Sequence, residues 1–241
     1  MILKQERIIA RLKNAEVQAV NPLFIIPCPF SEAELSGEIA ASGAASIDLR
    51  LGTWFLVARQ TKIPFLEVSK PSRVELALGD ATHPDAISAE ERKRLQLELE
   101  FRVLPSAVAR PYHVRFGDDF ILHPRSFALA STLEWLRIPT DLAGYVTGRS
   151  SLGRRGLIIA TAVGVHPGFT GCLTLELANL GDVPISVRPG MTIGQLFIHK
   201  AEGPQEPESV DRSSFYCKRR PILGDLAQDD IALALAKGYR L

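Results

Sequence analysis

The chain has 241 residues, 46% of them hydrophobic and 23% charged, which is enough apolar material for a buried core and too little net charge for a disordered chain. Lys and Arg number 28 against 27 Asp and Glu, so no global field draws the protein to nucleic acid or an acidic membrane, and any polyanion must be bound locally. The three cysteines, Cys28, Cys172 and Cys217, are odd in number and lack CxxC spacing, which argues against a disulfide framework and for a reducing compartment.

At the N-terminus, Lys4, Glu6 and Arg7 interrupt the apolar core a signal peptide would need. Residues 2–14 place Ile2, Ile8, Ile9 and Leu12 at helical spacing between charges, which predicts an amphipathic helix. From Ser46 onward short β-type runs are broken by Gly and Pro. A charged helix is expected over 88–98, with Ser88 and Glu91 spaced as in a capping box, inside a solvated insertion over about 56–115. The most continuous apolar stretch, Leu157 to Val165, is far short of the roughly 20 residues that span a bilayer. A soluble cytoplasmic protein without a membrane partner is the expectation. Strands are predicted at Leu173–Asn179, Pro184–Val187 and Thr192–His199, separated by Gly181-Asp182 and Pro189-Gly190. Strands and turns at this spacing indicate a mainly β sandwich, jelly roll or distorted barrel over residues 1–200. Residues 201–241, with a helix-like stretch from Gln228 to Lys237, read as a tail that packs on or folds over the body.

Several common chemistries lack their motifs. The chain has neither a P-loop nor a G-x-G-x-x-G turn, and no G-x-S-x-G elbow. Its five histidines are scattered, none begins an H-x-E, and P-C-x-x-C is missing, so the zinc deaminase pattern fails. Two stretches remain. Gly148-Arg149-Ser150-Ser151-Leu152-Gly153-Arg154-Arg155-Gly156 combines arginine forks, hydroxyls and glycines, as a phosphate site needs, and reads equally as a basic surface turn before a short helix. The second runs from Thr161 to Gly171 into the strand Cys172 to Asn179, where Glu176 lies off the face of Leu173, Leu175 and Leu177. Glu176 is either an exposed outer-face carboxylate or, if covered, one needing a partner such as Arg149, Arg154 or Arg155. His166 reads as a turn histidine or a ligand contact.

The segments SIDLRLG (46–52), FALASTLEWLRIPTDLAGYVTGRSSLGRRGL (127–157), TAVGVHPGFTGCLTLELANLG (161–181) and PISVRPGMTIGQLF (184–197) together resemble the dCTP deaminase branch of the dUTPase-like family, in order and spacing. The resemblance implies a distorted jelly-roll, dUTPase-like β barrel with a few short helices, assembled as a homotrimer with nucleotide sites between subunits and a C-terminal segment closing over the nucleotide. It also implies metal-independent hydrolytic deamination of a cytosine deoxynucleotide, without zinc and with Mg²⁺ present only as the triphosphate's counter-ion. Carried over by position, Glu176 matches the family's catalytic glutamate. Ser150 and the Ala162 carbonyl would position the attacking water, and Arg154 would order the glutamate's side of the site. Arg149 and Ser151 fall where phosphates bind, and Thr161 to Val163 would read the base edge. Gln195 lies in the family's GQL-type strand, with a nucleotide-binding or purely structural role.

Two departures from the pattern stand out. His166 replaces the aspartate usually found before Pro-Gly, which contacts the sugar 3′-hydroxyl; a neutral imidazole accepts that bond but cannot serve as a carboxylate. The tail matches loosely, and Tyr216, Lys218, Arg219 and Arg220 would either stack on and neutralise a triphosphate or form an exposed peptide. The leading expectation is dCTP to dUTP plus ammonia. A non-catalytic nucleotide sensor is the rival, and dUTP pyrophosphatase or bifunctional chemistry is weakened by His166.

Overall fold

In the computed structural model of the chain, the described residues are 1–13, 21–40, 42–58, 109–159, 164–203 and 217–221. The elements are α1 (Gln5–Lys13), β1 (Phe24–Ile26), α2 (Glu32–Ser36), β2 (Ser46–Ala58), β3 (Ala109–His113), β4 (Phe120–Leu122), β5 (Phe127–Arg137), β6 (Leu142–Gly148), α3 (Ser150–Gly153), β7 (Leu157–Ile159), β8 (Gly164–Val165), β9 (Thr170–Asn179), β10 (Ile185–Val187) and β11 (Thr192–Lys200).

Strand β2 organises the sheet. Its alternation buries Ile47, Leu49 and Leu51 and leaves Asp48 exposed and Arg50 half-buried on the other face. Its first half pairs antiparallel with β11 and its second half with β5, and the β5 pairing shifts register between Leu51 and Phe55, around Gly52. An added Cβ at Gly52 would lie 2.8 Å from Ser131 O, Ser131 Oγ and Thr132 O, so the strands approach this closely only because the residue has no side chain. The resulting sheet runs β7-β9-β5-β2-β11-β6-β8, with β1 on β5 and β3 on β2, and β4 and β10 form a separate pair. The chain is therefore mainly β with short helices. Its three expected C-terminal strands are β9, β10 and β11, each within a few residues of the predicted span.

The core lies on the inner face, where Ile47, Leu49, Leu51, Leu175, Leu177, Leu196 and Ile198 pack together. Helix α1 closes part of it with Ile8 and Ile9. The helix begins later than predicted because the first residues are held to β11: Ile2 bridges His199, and the Leu3 N–H donates to Ile198 O at 2.8 Å. Sequence reading overlooked α2, although Ser31 and Glu34 form a reciprocal capping box and Gly37 ends the helix at φ 87°.

The chain divides into two units, Met1–Val57 with Pro111–Ile222 and Ala58–Arg110 with Leu223–Leu241. Of the tail, the described residues 201–203 and 217–221 group with the first unit. In the second, only Ala58, Ala109 and Arg110 are described. The helices expected over 88–98 and 228–237 fall outside the described residues. Among the described residues, no helix is long and apolar enough to cross a membrane.

Candidate functional site

The arginine- and serine-rich loop is shaped by its ends. Strand β6 stops at Gly148, against Ile159, and one helical turn follows, closed by Arg154 N–H to Ser150 O at 3.0 Å. Gly156 then takes φ 89°, and a Cβ there would come within 2.9 Å of Gly181 N, so glycine is required for the return into β7. The turn is braced from below by buried Asn179, whose Nδ2 donates to Leu122 O and Val183 O and whose Oδ1 accepts from Gly181 N. This framework leaves Ser150, Ser151, Arg154 and Arg155 exposed at the surface, with Arg155 Nη1 donating to Ser151 O at 2.7 Å.

Arg149 caps the turn without a side-chain capping bond and instead faces Asp48, with Nη1 3.8 Å from Oδ2. Register explains the meeting. Gln195 on β11 stands opposite Asp48 on one side and Thr147 on the other, so the residue after Gly148 reaches the same face. Gln195 Nε2 donates to Asp48 Oδ1 at 3.2 Å. Arg149 and Gln195, far apart in sequence, thus share one carboxylate. Asp48 lies in the SIDLRLG segment and has no role from the sequence alone. Its signal was an aspartate inside a strand, where the residue is disfavoured, between two buried aliphatics.

Glu176 lies on the half-buried outer face of β9, beside Leu129 of β5, in line with Thr174 and Cys172. Among the described residues it makes no hydrogen bond or ion pair, and within the single chain Arg149 and Arg155 have other partners. Among the described residues, Glu176 meets none of Arg149, Arg154 and Arg155, and its face of β9 is half-buried. The buried carboxylate of the sheet is a different one. Glu134 has no exposed surface and accepts from Arg50 N at 2.9 Å and Arg50 Nε at 2.7 Å.

The far end of β9 carries the described part of the tail. Cys217 N–H donates to Thr170 O at 2.7 Å, and Cys172 N–H donates to Lys218 O at 2.8 Å. The Arg219 guanidinium sits 5.4 Å from the centre of the Trp135 ring, and that of Arg220 sits 3.9 Å from the Trp54 ring. Lys218 is exposed. Burial pushes the Cys172 thiol up to about 11, against the opposing pull of Arg219, with Glu134 adding to the rise.

His166 is exposed in the turn before β9, its carbonyl accepting from Phe169 N–H at 3.2 Å. Thr161, Ala162, Val163 and Tyr216 fall outside the described residues. Of the anticipated set, the fold brings together Arg149 with Gln195. It leaves Glu176 on β9, sets Arg219 over Trp135 of β5 and Arg220 over Trp54 of β2, and keeps Ser150, Ser151 and Arg154 on an exposed turn. Among the described residues, no three His, Cys, Asp or Glu side chains gather as a metal site.

A profile of the dCTP deaminase-like family matches residues 2–201. The chain is 36% identical over 174 residues to a dCTP deaminase from Halorubrum lacusprofundi, covering 71% of this chain and 70% of that protein. It is 32% identical over 218 residues to a dUMP-forming dCTP deaminase from Halobacterium salinarum, covering 90% and 89%. Among solved structures, the dCTP deaminase from Agrobacterium tumefaciens aligns with a TM-score of 0.49 at 18% identity, over 83% of this chain and 48% of that one. With a profile spanning most of its length and relatives above 30% identity over most of theirs, the chain belongs to the dCTP deaminase-like family.

Proposed function

We propose that the protein hydrolyses the exocyclic amine of dCTP, giving dUTP and ammonia. The reading rests on one observation: in a chain matched to the family over residues 2–201, Glu176 stands half-buried on an outer strand face with no ion-pair partner among the described residues. Such a carboxylate is free to accept a proton from water attacking C4 of cytosine and to return protons to N3 and then to the departing amine. The water's oxygen becomes the C4 carbonyl oxygen, and the C4–N bond breaks as ammonia leaves. Ser150 Oγ and the Ala162 carbonyl orient that water, Arg154 orders the glutamate, and Thr161 and Val163 read the base. Arg149 and Ser151 take phosphates that arrive with Mg²⁺ as the triphosphate's counter-ion. The proposed homotrimer accounts for two features, the unpartnered Glu176 and the exposed 150–154 turn, since a neighbouring subunit would cover the first with the second. A cytoplasmic setting fits the three free cysteines.

Ammonia release from dCTP with Mg²⁺ tests the reading. Glu176→Gln is expected to lower kcat by at least about 100-fold, the usual scale for losing a general acid–base group, and undiminished turnover in that variant overturns the mechanism. The relatives named as deaminases do not favour a non-catalytic sensor.

Because the Halobacterium salinarum relative at 32% identity is a dUMP-forming dCTP deaminase, further cleavage of dUTP is the second reading to test. His166 argues against it, because an imidazole cannot replace a carboxylate that orients water at the α-phosphate. Wild type is expected to accumulate dUTP rather than dUMP and pyrophosphate, and chromatography of the products decides.

A further inference from the structure

Residues 217–221 lie beyond the stretch matched to the family, yet four independent contacts seat them on β9 and its neighbours. Two are backbone hydrogen bonds that flank Gly171, from Cys217 N–H to Thr170 O and from Cys172 N–H to Lys218 O. Gly171 itself has φ 142°, and an added Cβ would lie 3.1 Å from Lys218 O and 3.2 Å from Lys218 N. The glycine thus supplies both the backbone conformation and the space in which the segment rests. The remaining two contacts are the stacked guanidinium groups of Arg219 over Trp135 and Arg220 over Trp54. These are the only two tryptophans in the chain.

We propose that this segment is a clasp on the entry to β9, with Arg219, Arg220, Trp54, Trp135 and Gly171 as positioning residues for Glu176. The geometry explains why the clasp matters. Gly171 lies between the turn that carries His166 and the strand that carries Glu176, so the two backbone bonds fix how the turn leads into the strand. Cys172, bonded to the clasp, precedes Glu176 by four residues, or about 13 Å along an extended strand, and both belong to the same face. A general base must be held close to its productive position, because a displacement of about 1 Å can cost about 100-fold in rate. The arginines dock on aromatic faces by cation–π attraction, which assigns them to holding the segment and not to the triphosphate. All three cations are exposed, and Arg219 and Arg220 are the two that lie over tryptophan rings.

The kinetic part of this proposal rests on the deaminase reading; the docking part does not. Arg219→Gln with Arg220→Gln is the direct perturbation, and both side chains are exposed, so folding is not at stake. In nucleotide-free protein, hydrogen exchange at the Cys172 and Cys217 amides is expected to speed up at least tenfold, while Leu175 and Leu177 stay protected. Tryptophan emission, which reports only from the two docking sites, is expected to shift. With dCTP, kcat is expected to fall at least fivefold with KM within twofold. Gly171→Ala approaches from the opposite side and is expected to give the same local loss of protection.

Unchanged exchange in both variants overturns the clasp. A raised KM with unchanged exchange also overturns it and returns the arginines to phosphate binding. Lost protection with both kinetic constants unaltered overturns the positioning of Glu176. Wild-type protein that releases no ammonia defeats the deaminase reading, and the exchange and emission measurements then decide the clasp alone.

Discussion

Replacing Glu134 removes the one fully buried carboxylate among the described residues and exposes how much the Arg50 pair contributes. Glu134 accepts two hydrogen bonds from Arg50, from the backbone N and from Nε. Bonds to charged groups contribute about 1.5–3 kcal/mol each. Glu134→Ala would leave both donors without an acceptor, beside an Arg50 Nη2 that is already buried without one. Breaking a buried pair from one side costs about 3–5 kcal/mol. The Arg50 side chain retains 33% exposure, so water recovers part of the loss and the lower end, about 3 kcal/mol, is expected. Urea unfolding at fixed protein concentration measures it. With a slope of about 3 kcal/mol/M the midpoint should fall by about 1 M with the slope unchanged. Glu134→Gln keeps the shape but sets an amide NH₂ against one donor, so about 2 kcal/mol is expected. Glu134→Leu with Arg50→Leu should recover much of the single-variant loss, because no charge is then left unpaired. A stability for Glu134→Ala within about 0.5 kcal/mol of wild type, or strictly additive effects in the double-variant cycle, would refute the reasoning.

Other expectations follow from single contacts. Asp48→Asn keeps an acceptor for Gln195 but removes the charge facing Arg149; if the pair orders that arginine for phosphate, KM for dCTP rises a few-fold, whereas simple relief of repulsion would lower it. Gly52→Ala drives a methyl group into Ser131 and Thr132 backbone oxygens and should cost about 1–3 kcal/mol, seen as a lower Tm. A maleimide at pH 8 should label exposed Cys28 and Cys217 quickly and Cys172 slowly. Because the Cys172 thiol holds its proton more tightly in the folded chain than in the unfolded one, stability should decline as pH rises from 9.0 to about 11, and the decline should flatten in Cys172→Ala. A wild-type pH profile with no such decline would contradict the burial of that thiol.

Much of the fold was legible because its signals are local. Alternation at Ile47, Leu49 and Leu51 and at Leu175 and Leu177 records which face is buried, and Gly181-Asp182 and Pro189-Gly190 mark where strands must end. Helix α1 was visible for the same reason, although its first turn was not. Whether Ile2 and Leu3 extend the helix or pair with β11 depends on the Ile198 carbonyl, which accepts from Leu3 N–H and lies far away in the chain. The capping box of α2 was present in Ser31 and Glu34, but five residues carry too little periodicity to call attention to it.

By itself, the amino-acid sequence determined the mainly β class, the glycine-bounded 148–156 loop and the family to which the chain belongs, because each is written in contiguous residues with fixed spacing. Only the tertiary structure decided which charges meet. Asp48 joins Arg149 to Gln195 because two strand registers align them, and Glu134 takes the buried role beside Arg50 while Glu176 stays half open. Arg219 and Arg220 read in sequence as either triphosphate contacts or part of an exposed peptide, and in the fold they lie on Trp135 and Trp54. The physical reason is common to all three: a charge's partner is set by distance in space, which strand register and curl fix over separations of tens to more than a hundred residues.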